Sequence, residues 1–425
     1  MKRYEKYKPT GIQWLPEIPE HWKVQRFGSL FKRKVVANDP SKELLSVFLD
    51  RGVIKASESD KRTHQASDDL SKYQLVEPTD FVMNNQQAWR GSVGVSNFIG
   101  IISPAYHLFA MPSCYNPHYA NYLLRDRVMV NLYDMSSKGV GSIQRTLNFN
   151  WLNNGKCILP SIAEQEKIVT YLDKRITLIE NCKCQREREL QTLNELKQAE
   201  IASVVTRGLN PDVPMVYMDT PLKTKHPSHW KRVRNMTFLI EQTEKVGKQA
   251  DDYQLLSLTT NGIIVRDVES GKGKFPKDFE SYKVVEPGEL VFCLFDIDET
   301  PRTIGLSQNH GMITGAYDVF KVKEDIVNPS FVYAFYLVID NIKALKPYYS
   351  GLRKVVKHNR FMQIGFALPP IEEQNAIVEY IESKTNKIDT MIEALKAEID
   401  RLTEYKQRLI SDVVTGQIDV RSEQI

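Results

Sequence analysis

Leu159-Pro160-Ser161-Ile162-Ala163-Glu164-Gln165 returns 209 residues later as Leu368-Pro369-Pro370-Ile371-Glu372-Glu373-Gln374. Each copy opens a long helical pattern, and the two patterns end alike, at Val204-Val205-Thr206 and Val413-Val414-Thr415. Working outward, Pro19-Glu20-His21-Trp22-Lys23 returns as Pro227-Ser228-His229-Trp230-Lys231. Tyr73-Gln74-Leu75-Val76-Glu77-Pro78 returns as Tyr282-Lys283-Val284-Val285-Glu286-Pro287. A period this long is not a solenoid repeat. It reads as duplication of a whole unit, a globular domain followed by a long helix. A chain built this way can present two similar surfaces, and duplex DNA is a target with matching symmetry.

The sequence of 425 residues has room for two cored domains of about 150 residues each plus helical spacers. Its boundaries read as residues 1–158 and 208–367 for the globular parts and 159–207 and 368–425 for the helices. Charge is distributed unevenly. Residues 1–158 carry 21 Lys and Arg against 14 Asp and Glu, a net +7, and residues 208–367 carry 21 against 19, a net +2. The first helix region is neutral at 8 against 8, and the second is −5 at 7 against 12. A polyanion would therefore meet the globular parts, the first more strongly. No run of 18 apolar residues occurs, so no membrane span is expected. Met1-Lys2-Arg3-Tyr4-Glu5-Lys6-Tyr7-Lys8 lacks the apolar stretch of a signal peptide. The five cysteines, Cys114, Cys157, Cys182, Cys184 and Cys293, lack paired spacing, which suggests a reducing cytoplasm.

Each globular part reads as mixed α and β. Strand-like runs at residues 44–49, 80–83 and 99–102 have counterparts at 255–258, 290–295 and 316–322, bounded by turn signals. Helices follow from Asn116-Pro117 to about Tyr133 and from Asn328-Pro329 to about Ala344. The Asn-Pro openings suit an N-cap with proline at the first helical position.

In the second long helix Ile377, Ile381, Ile388, Ile392, Leu395, Ile399, Leu402, Leu409 and Val413 recur at steps of 4 and 3, apart from gaps at Lys384 and Lys406. That is a coiled-coil seam. The first helix keeps Ile168, Leu172, Ile179, Leu190, Leu193 and Val204 but places Lys183, Arg186 and Glu200 at seam positions. Either these polar residues set the register of a helix pair, or the seam shifts to Leu178 and Leu196. Pro160 and Pro369-Pro370 mark the starts, and Gly208 and Gly416 the ends.

Catalytic signatures are missing. No phosphate-binding Gly-x-x-x-x-Gly-Lys-Ser/Thr occurs, and neither Gly139-Val140-Gly141-Ser142 nor Gly271-Lys272-Gly273-Lys274 follows a strand and opens a helix with dinucleotide spacing. There is no His-Glu-x-x-His or Cys-x-x-Cys for zinc. The Asn-Pro pairs at Asn116, Asn210 and Asn328 lack the second proline and aromatic residue that grip a flipped base. His21 and His229 read as packed structural histidines beside tryptophans. Asp296, Asp298 and Glu299 read as a solvated loop rather than a magnesium site.

Binding chemistry is present. Gln86, Gln87, Trp89 and Arg90 lie in Asn84-Asn85-Gln86-Gln87-Ala88-Trp89-Arg90-Gly91, where amides suit adenine and arginine suits guanine. Lys138 and Arg145 flank a glycine-rich stretch, residues 136–145, suited to phosphates. The corresponding segments of the second half hold Arg302 and, in a basic run with interleaved aromatics, Tyr349, Arg353, Lys354, Lys357 and Asn359.

The pattern resembles the specificity (S) subunits of type I restriction–modification enzymes. The residues carrying the likeness are Gly11-Ile12-Gln13-Trp14-Leu15-Pro16-Glu17-Ile18-Pro19-Glu20-His21-Trp22, Gln87-Ala88-Trp89-Arg90-Gly91-Ser92-Val93-Gly94, Ile102-Ser103-Pro104-Ala105-Tyr106 and both Leu-Pro-x-Ile-x-Glu-Gln helix starts. The resemblance implies an α+β protein with two target-recognition domains separated by two long antiparallel coiled-coil helices. It implies a non-catalytic subunit that reads a bipartite double-stranded DNA site, one half per domain. Two modification (M) subunits that bind S-adenosylmethionine and methylate adenine would dock on it. Two restriction (R) subunits using ATP and magnesium would complete the complex. The chain itself would hold no cofactor or metal and would work in the cytoplasm. The small net charge of the second domain departs from this picture. The rival expectation is a coiled-coil scaffold whose globular domains bind proteins.

Overall fold

The computed structural model describes residues 2–34, 39, 41–58, 70, 72–140, 144–266, 279–351 and 354–422. It divides into two compact units. One contains residues Met1–Glu187 and Ala397–Ile425, the other Arg188–Lys396. Each unit therefore holds one globular domain and half of each long helix.

The domain of the first unit is centred on a four-stranded antiparallel sheet in the order Lys32–Lys34, Tyr106–Ala110, Phe81–Asn84, Val93–Val95. The second unit repeats it as Leu239–Gln242, Asp318–Val322, Leu290–Phe292, Ile304–Leu306. Side chains alternate across these strands. Phe81, Met83 and Phe109 point into the main core of the first unit, while Val82 and Leu108 point into a smaller one with Leu45, Val47 and Val53. In the second unit Leu290, Phe292 and Phe320 face the main core, and Val291 and Val319 the smaller one. Both faces are covered, which is why these strands read as continuous apolar runs.

The strand expectations hold as Leu45–Phe48, Phe81–Asn84 and Gly100–Ile102, and as Leu256–Thr259, Leu290–Phe292 and Asp318–Val322. The helix expected from Asn116 to Tyr133 is two helices, Pro117–Arg125 and Arg127–Met135. Asp126 is extended between them, and its carboxylate caps the second by accepting from the Val128 amide at 2.9 Å. The Asn-Pro caps form as expected. Asn116 accepts from His118 and Tyr119, and Asn328 from Ser330 and Phe331.

The long helices span Ile162–Arg207 and Ile371–Val414. At 1.5 Å per residue each is roughly 65–70 Å long. Their ion pairs run in opposite directions along the two chains. In the first unit Glu180 pairs with Lys406 at 2.6 Å and Arg186 with Glu398 at 3.0 Å. In the second Lys197 pairs with Asp389 at 2.6 Å. The halves are antiparallel in each unit. Ile377, Ile388, Ile392, Leu409 and Val413 are buried, and Ile381, Leu395, Ile399 and Leu402 are half-buried. Leu178 and Leu196 are 54% and 46% exposed, so the seam does not shift to them. Lys183, Arg186 and Glu200 stay half-buried along it. Gly208 and Gly416, at φ +72° and +75°, end the helices in the left-handed conformation that glycine adopts without strain.

The duplicated motif makes the joint between helix and domain. Gln165 is fully buried. Its Oε1 accepts from the Asn116 amide at 2.7 Å, and its Nε2 donates to the Cys114 and Pro160 carbonyls at 2.9 and 3.0 Å. Gln374, also fully buried, accepts from Asn328 at 2.8 Å and donates to Ile326 and Pro369 at 3.1 and 3.0 Å. The preceding glutamates share the repeated histidine and differ in their second partner. Glu164 accepts from Tyr4 Oη at 2.6 Å and sits 2.9 Å from His21 Nε2. Glu373 lies 2.8 Å from His229 Nε2 and accepts from Trp230 Nε1 at 3.1 Å. Both histidines pair with the helix-start glutamates, but their side chains are 46% and 43% exposed rather than packed as expected. In the first unit residues 417–420 return to the N-terminus, with Gln417 Nε2 donating to the Glu17 carbonyl at 3.1 Å and the Asp419 amide to Lys2 at 2.9 Å.

A charge placed at a buried seam position has no way to stay hydrated. Ile392→Asp should destabilise the second unit by several kcal/mol, whereas Leu196→Asp, on an exposed face, should change stability by less than about 0.5 kcal/mol. Equal losses in denaturant melts of the two variants would show that the seam runs elsewhere.

His107 gives a second expectation. It is 8% exposed, and neither ring nitrogen has a hydrogen-bond partner among the described residues. Burial, with Arg33 adding to it, pushes the imidazole pKa down to about 4. An unfolded chain takes up this proton near pH 6.5. Between pH 6.5 and 4 only the unfolded state binds the proton, so stability falls as pH falls through that window and is unaffected above it. The loss should reach about 2 kcal/mol at pH 5. His107→Leu should remove that part of the decline. An identical pH dependence in wild type and variant would mean that the site is not the source.

Candidate nucleic-acid interface

In the first unit the strand Phe81–Asn84 runs into a tight turn built by its own last residue. Asn84 Oδ1 accepts from the amides of Gln86 and Gln87 at 2.9 and 3.2 Å. A short 3-10 helix follows, Ala88–Arg90, closed by Gly91 at φ +98°. A side chain at that φ would be strained. Ala88 is buried, which leaves Gln86 and Arg90 exposed and Gln87 and Trp89 half-buried. Trp89 is held by its Nε1 donating to the Gln86 carbonyl at 3.0 Å.

The second loop expected to contact DNA is a hairpin, Ser137–Val140 with Gln144–Leu147. Residues 141–143 lie outside the described residues. The structure brings the hairpin to the first loop. The Leu147 amide donates to Asn85 Oδ1 at 3.3 Å. The Arg145 guanidinium stacks 4.6 Å from the Trp89 ring and pairs with Asp134. Arg90 lies 5.7 Å from the same ring. Gln86, Gln87, Trp89, Arg90 and Arg145 therefore form one patch. Lys138, on the same hairpin, sits 4.5 Å over the ring of Trp151, which is 49% exposed. Cation and ring hold each other in place without removing the charge from solvent.

The equivalent loops of the second unit also meet. The Val356 amide donates to the Leu294 carbonyl at 2.8 Å. Tyr349 Oη donates to Asp298 at 3.0 Å, and Lys346 and Lys354 approach the same carboxylate at 3.3 and 3.5 Å. Burial would raise the Asp298 carboxyl, but the Tyr349 hydroxyl and these lysines hold it below its ordinary range. Burial and the hydrogen bond to Asp298 together raise the Tyr349 hydroxyl. The acidic loop expected to be solvated is thus an anchor for cations, and no cluster of metal-ligating residues occurs among the described residues. Lys357 and Asn359 are exposed at the start of the short helix His358–Met362, with Arg360 stacked 5.5 Å over Tyr348. Arg353 lies outside the described residues.

Arg302 is placed differently from the others. Its side chain is 17% exposed and is held by buried Asp340 at 3.1 Å and by Asn341 at 3.0 Å. Asp340 also accepts from Thr303 and Lys343. This arginine ties the loop to the helix Pro329–Asn341. The sequence carries no spacing that distinguishes Arg302 from Arg90. Sequence reasoning also passed over Trp151, Lys346 and Arg360. Their role is visible only once the hairpin and the basic run are folded against the first loop.

No helix among the described residues is long and apolar enough to cross a membrane. No family model matches the chain. A putative type I restriction enzyme MjaX specificity subunit from Methanocaldococcus jannaschii is 22% identical over 332 residues, covering 72% of this chain and 69% of that protein. A chain from the structural study of complex assembly and conformational transition of the type I restriction–modification system superposes with a TM-score of 0.66 at 13% identity, covering 94% of this chain and 99% of the other. The HsdS subunit from Thermoanaerobacter tengcongensis covers 94% of this chain and 98% of its own, at 15% identity and a TM-score of 0.47. The chain is thus similar in sequence to a type I restriction enzyme specificity subunit and shares the fold of a chain from a type I restriction–modification system.

Proposed function

We propose that this chain is the DNA-recognition subunit of a type I restriction–modification complex. It carries no chemistry of its own and reads a bipartite duplex site, one half with each globular domain. The observation that carries this reading is the duplication of the surface. In both units, two loops far apart in sequence meet beside the same four-stranded sheet and present cations braced by aromatic rings or carboxylates. The likeness to a specificity subunit supports it.

In the first domain Gln86, Gln87 and Arg90 are the base-reading groups. Amides match adenine N6 and N7, and a guanidinium matches guanine O6 and N7. Lys138 and Arg145 meet phosphates, which fix register without reading sequence. In the second domain Tyr349, Lys354, Lys357 and Asn359 take these roles, and Arg302 supports the loop. Arg353 belongs to the same basic run. The paired helices act as a spacer and dock two M subunits, which bind S-adenosylmethionine and methylate adenine. Two R subunits with ATP and magnesium add restriction.

The test is reconstitution with the M partner. Duplex DNA should be methylated by the assembly and not by this chain alone. Methyl transfer by the isolated chain would overturn the reading. Replacing residues 20–150 with the equivalent region of a relative should change one half of the methylated sequence only, and a change in both halves would break the one-domain, one-half assignment.

Single substitutions separate the two kinds of contact. Arg90→Ala should cost about 1–3 kcal/mol of discrimination and relax the first half-site alone. Lys138→Ala should leave the methylated sequence unchanged and reduce the slope of log affinity against log salt by about 1. A sequence change in the lysine variant, or a uniform loss across sequences in the arginine variant, would reverse those roles.

A further inference from the structure

From the repeated bonding of one side chain we infer that Gln165 and Gln374 are positioning residues that fix the angle of each recognition domain on its helix, and so the number of base pairs between the two half-sites. The inference rests on the reading of function above.

Each amide spends three of its four hydrogen-bonding positions on backbone atoms, both donors and one of the two acceptor positions. In the first unit these atoms belong to two segments, residues 114–116 of the domain and Pro160 at the foot of the long helix. The Asn116 amide opens the helix Pro117–Arg125, the Cys114 carbonyl ends the chain arriving from the sheet, and the Pro160 carbonyl precedes the long helix. The apolar packing at the joint is non-directional, and the polar contacts of Glu164 and Glu373 are only partly the same in the two units. Hydrogen bonds from a rigid planar amide are directional. They set orientation where packing sets only proximity.

The duplication supplies an internal comparison. Around the two glutamines the neighbours have changed. Ser161 stands opposite Pro370, Ala163 opposite Glu372, and Cys114 opposite Ile326. The preceding glutamates keep the repeated histidine but change their second partner, Tyr4 in one unit and Trp230 in the other. Only the glutamine keeps the same three bonds to the same three kinds of backbone atom. A residue needed only to fill the joint would have been free to vary with its surroundings.

The leverage is large. Across a domain of about 25 Å, a tilt of about 10° moves the far side by roughly 4 Å. That is about one base-pair rise along DNA.

The experiment uses the full chain assembled with its M partner. The substrates are duplexes whose half-sites are separated by the natural gap or by one base pair more or fewer. Wild type should methylate the natural gap. Gln165→Leu should keep the same half-site bases and raise methylation on the altered gaps, relative to the natural one, about tenfold. Val82→Ala, a cavity in the small core of the same domain, controls for lost stability and should lower methylation on all gaps together. A Gln165→Leu assembly whose gap preference is unchanged while total methylation falls would overturn the inference. So would an equal change of preference in Val82→Ala. If Gln165→Leu does not fold, Gln165→Glu, which keeps an acceptor for the Asn116 amide, is read by the same ratio. A wild-type assembly without any gap preference would instead overturn the functional reading, and this inference with it.

Discussion

Neither globular domain closes its core from its own residues. Ile168, Leu172 and Ile179 of the first long helix and Leu409, Val413 and Val414 of the second are part of the main core of the first unit. Ile201, Val204, Val205 and Ile377 serve the second in the same way. Burial of these side chains, worth roughly 1.5–3 kcal/mol for each large one, therefore stabilises the helices and the domains together. The spacer cannot separate from the domains it carries without exposing both cores. This shared burial also explains how helices with so much polar surface persist. The seam also carries ion pairs, Arg186 with Glu398 in the first unit and Lys197 with Asp389 in the second. Such pairs contribute little net stability but penalise a shifted register, because a slip leaves charges unmatched.

The candidate interface follows a different rule. Its cations are exposed or half-buried, and few are loose. Arg145 is stacked on Trp89 and paired with Asp134, Lys138 rests on Trp151, and Lys354 leans on Asp298. A long side chain restrained before its partner arrives loses less conformational freedom on binding. The cost is competition, since an anionic partner would have to draw Arg145 from Asp134. Arg302 marks the limit of that arrangement. Its carboxylate partner is buried, so the pairing serves the fold.

Much of the architecture was legible in sequence because it is written in periodicity and repetition. The 4–3 spacing from Ile377 to Val413 located the seam, and the two Asn-Pro pairs located helix starts. The same reasoning could not choose between Lys183 and Leu178 as a seam neighbour, since both lie near the stripe. Burial decides it, and burial depends on the partner helix. It also missed the break at Asp126, where a residue compatible with helix interior instead caps a new helix. The candidate loops were chosen by residue type. Which of their cations face solvent was not legible, because that depends on Asp134, Asp298 and Asp340, each distant in sequence from the cation it holds. The repeated Glu-Gln pair was the strongest signal in the chain, and its structural meaning lay in backbone atoms that no sequence pattern displays.

The path of the chain sets the order in which it can be completed during synthesis. The unit Arg188–Lys396 is contiguous, whereas the other needs residues on both sides of it. The first domain emerges from the ribosome early, but the wall formed by Leu409, Val413 and Val414 is made about 250 residues after the first helix pattern starts at Leu159. At about 5–20 residues per second that is a delay of roughly 12–50 s. During it Trp22, Tyr119 and their neighbours lack the cover that the second helix provides. The earlier domain is thus the later one to finish, and its unfinished apolar face is the part of this protein most exposed to chaperones and to aggregation.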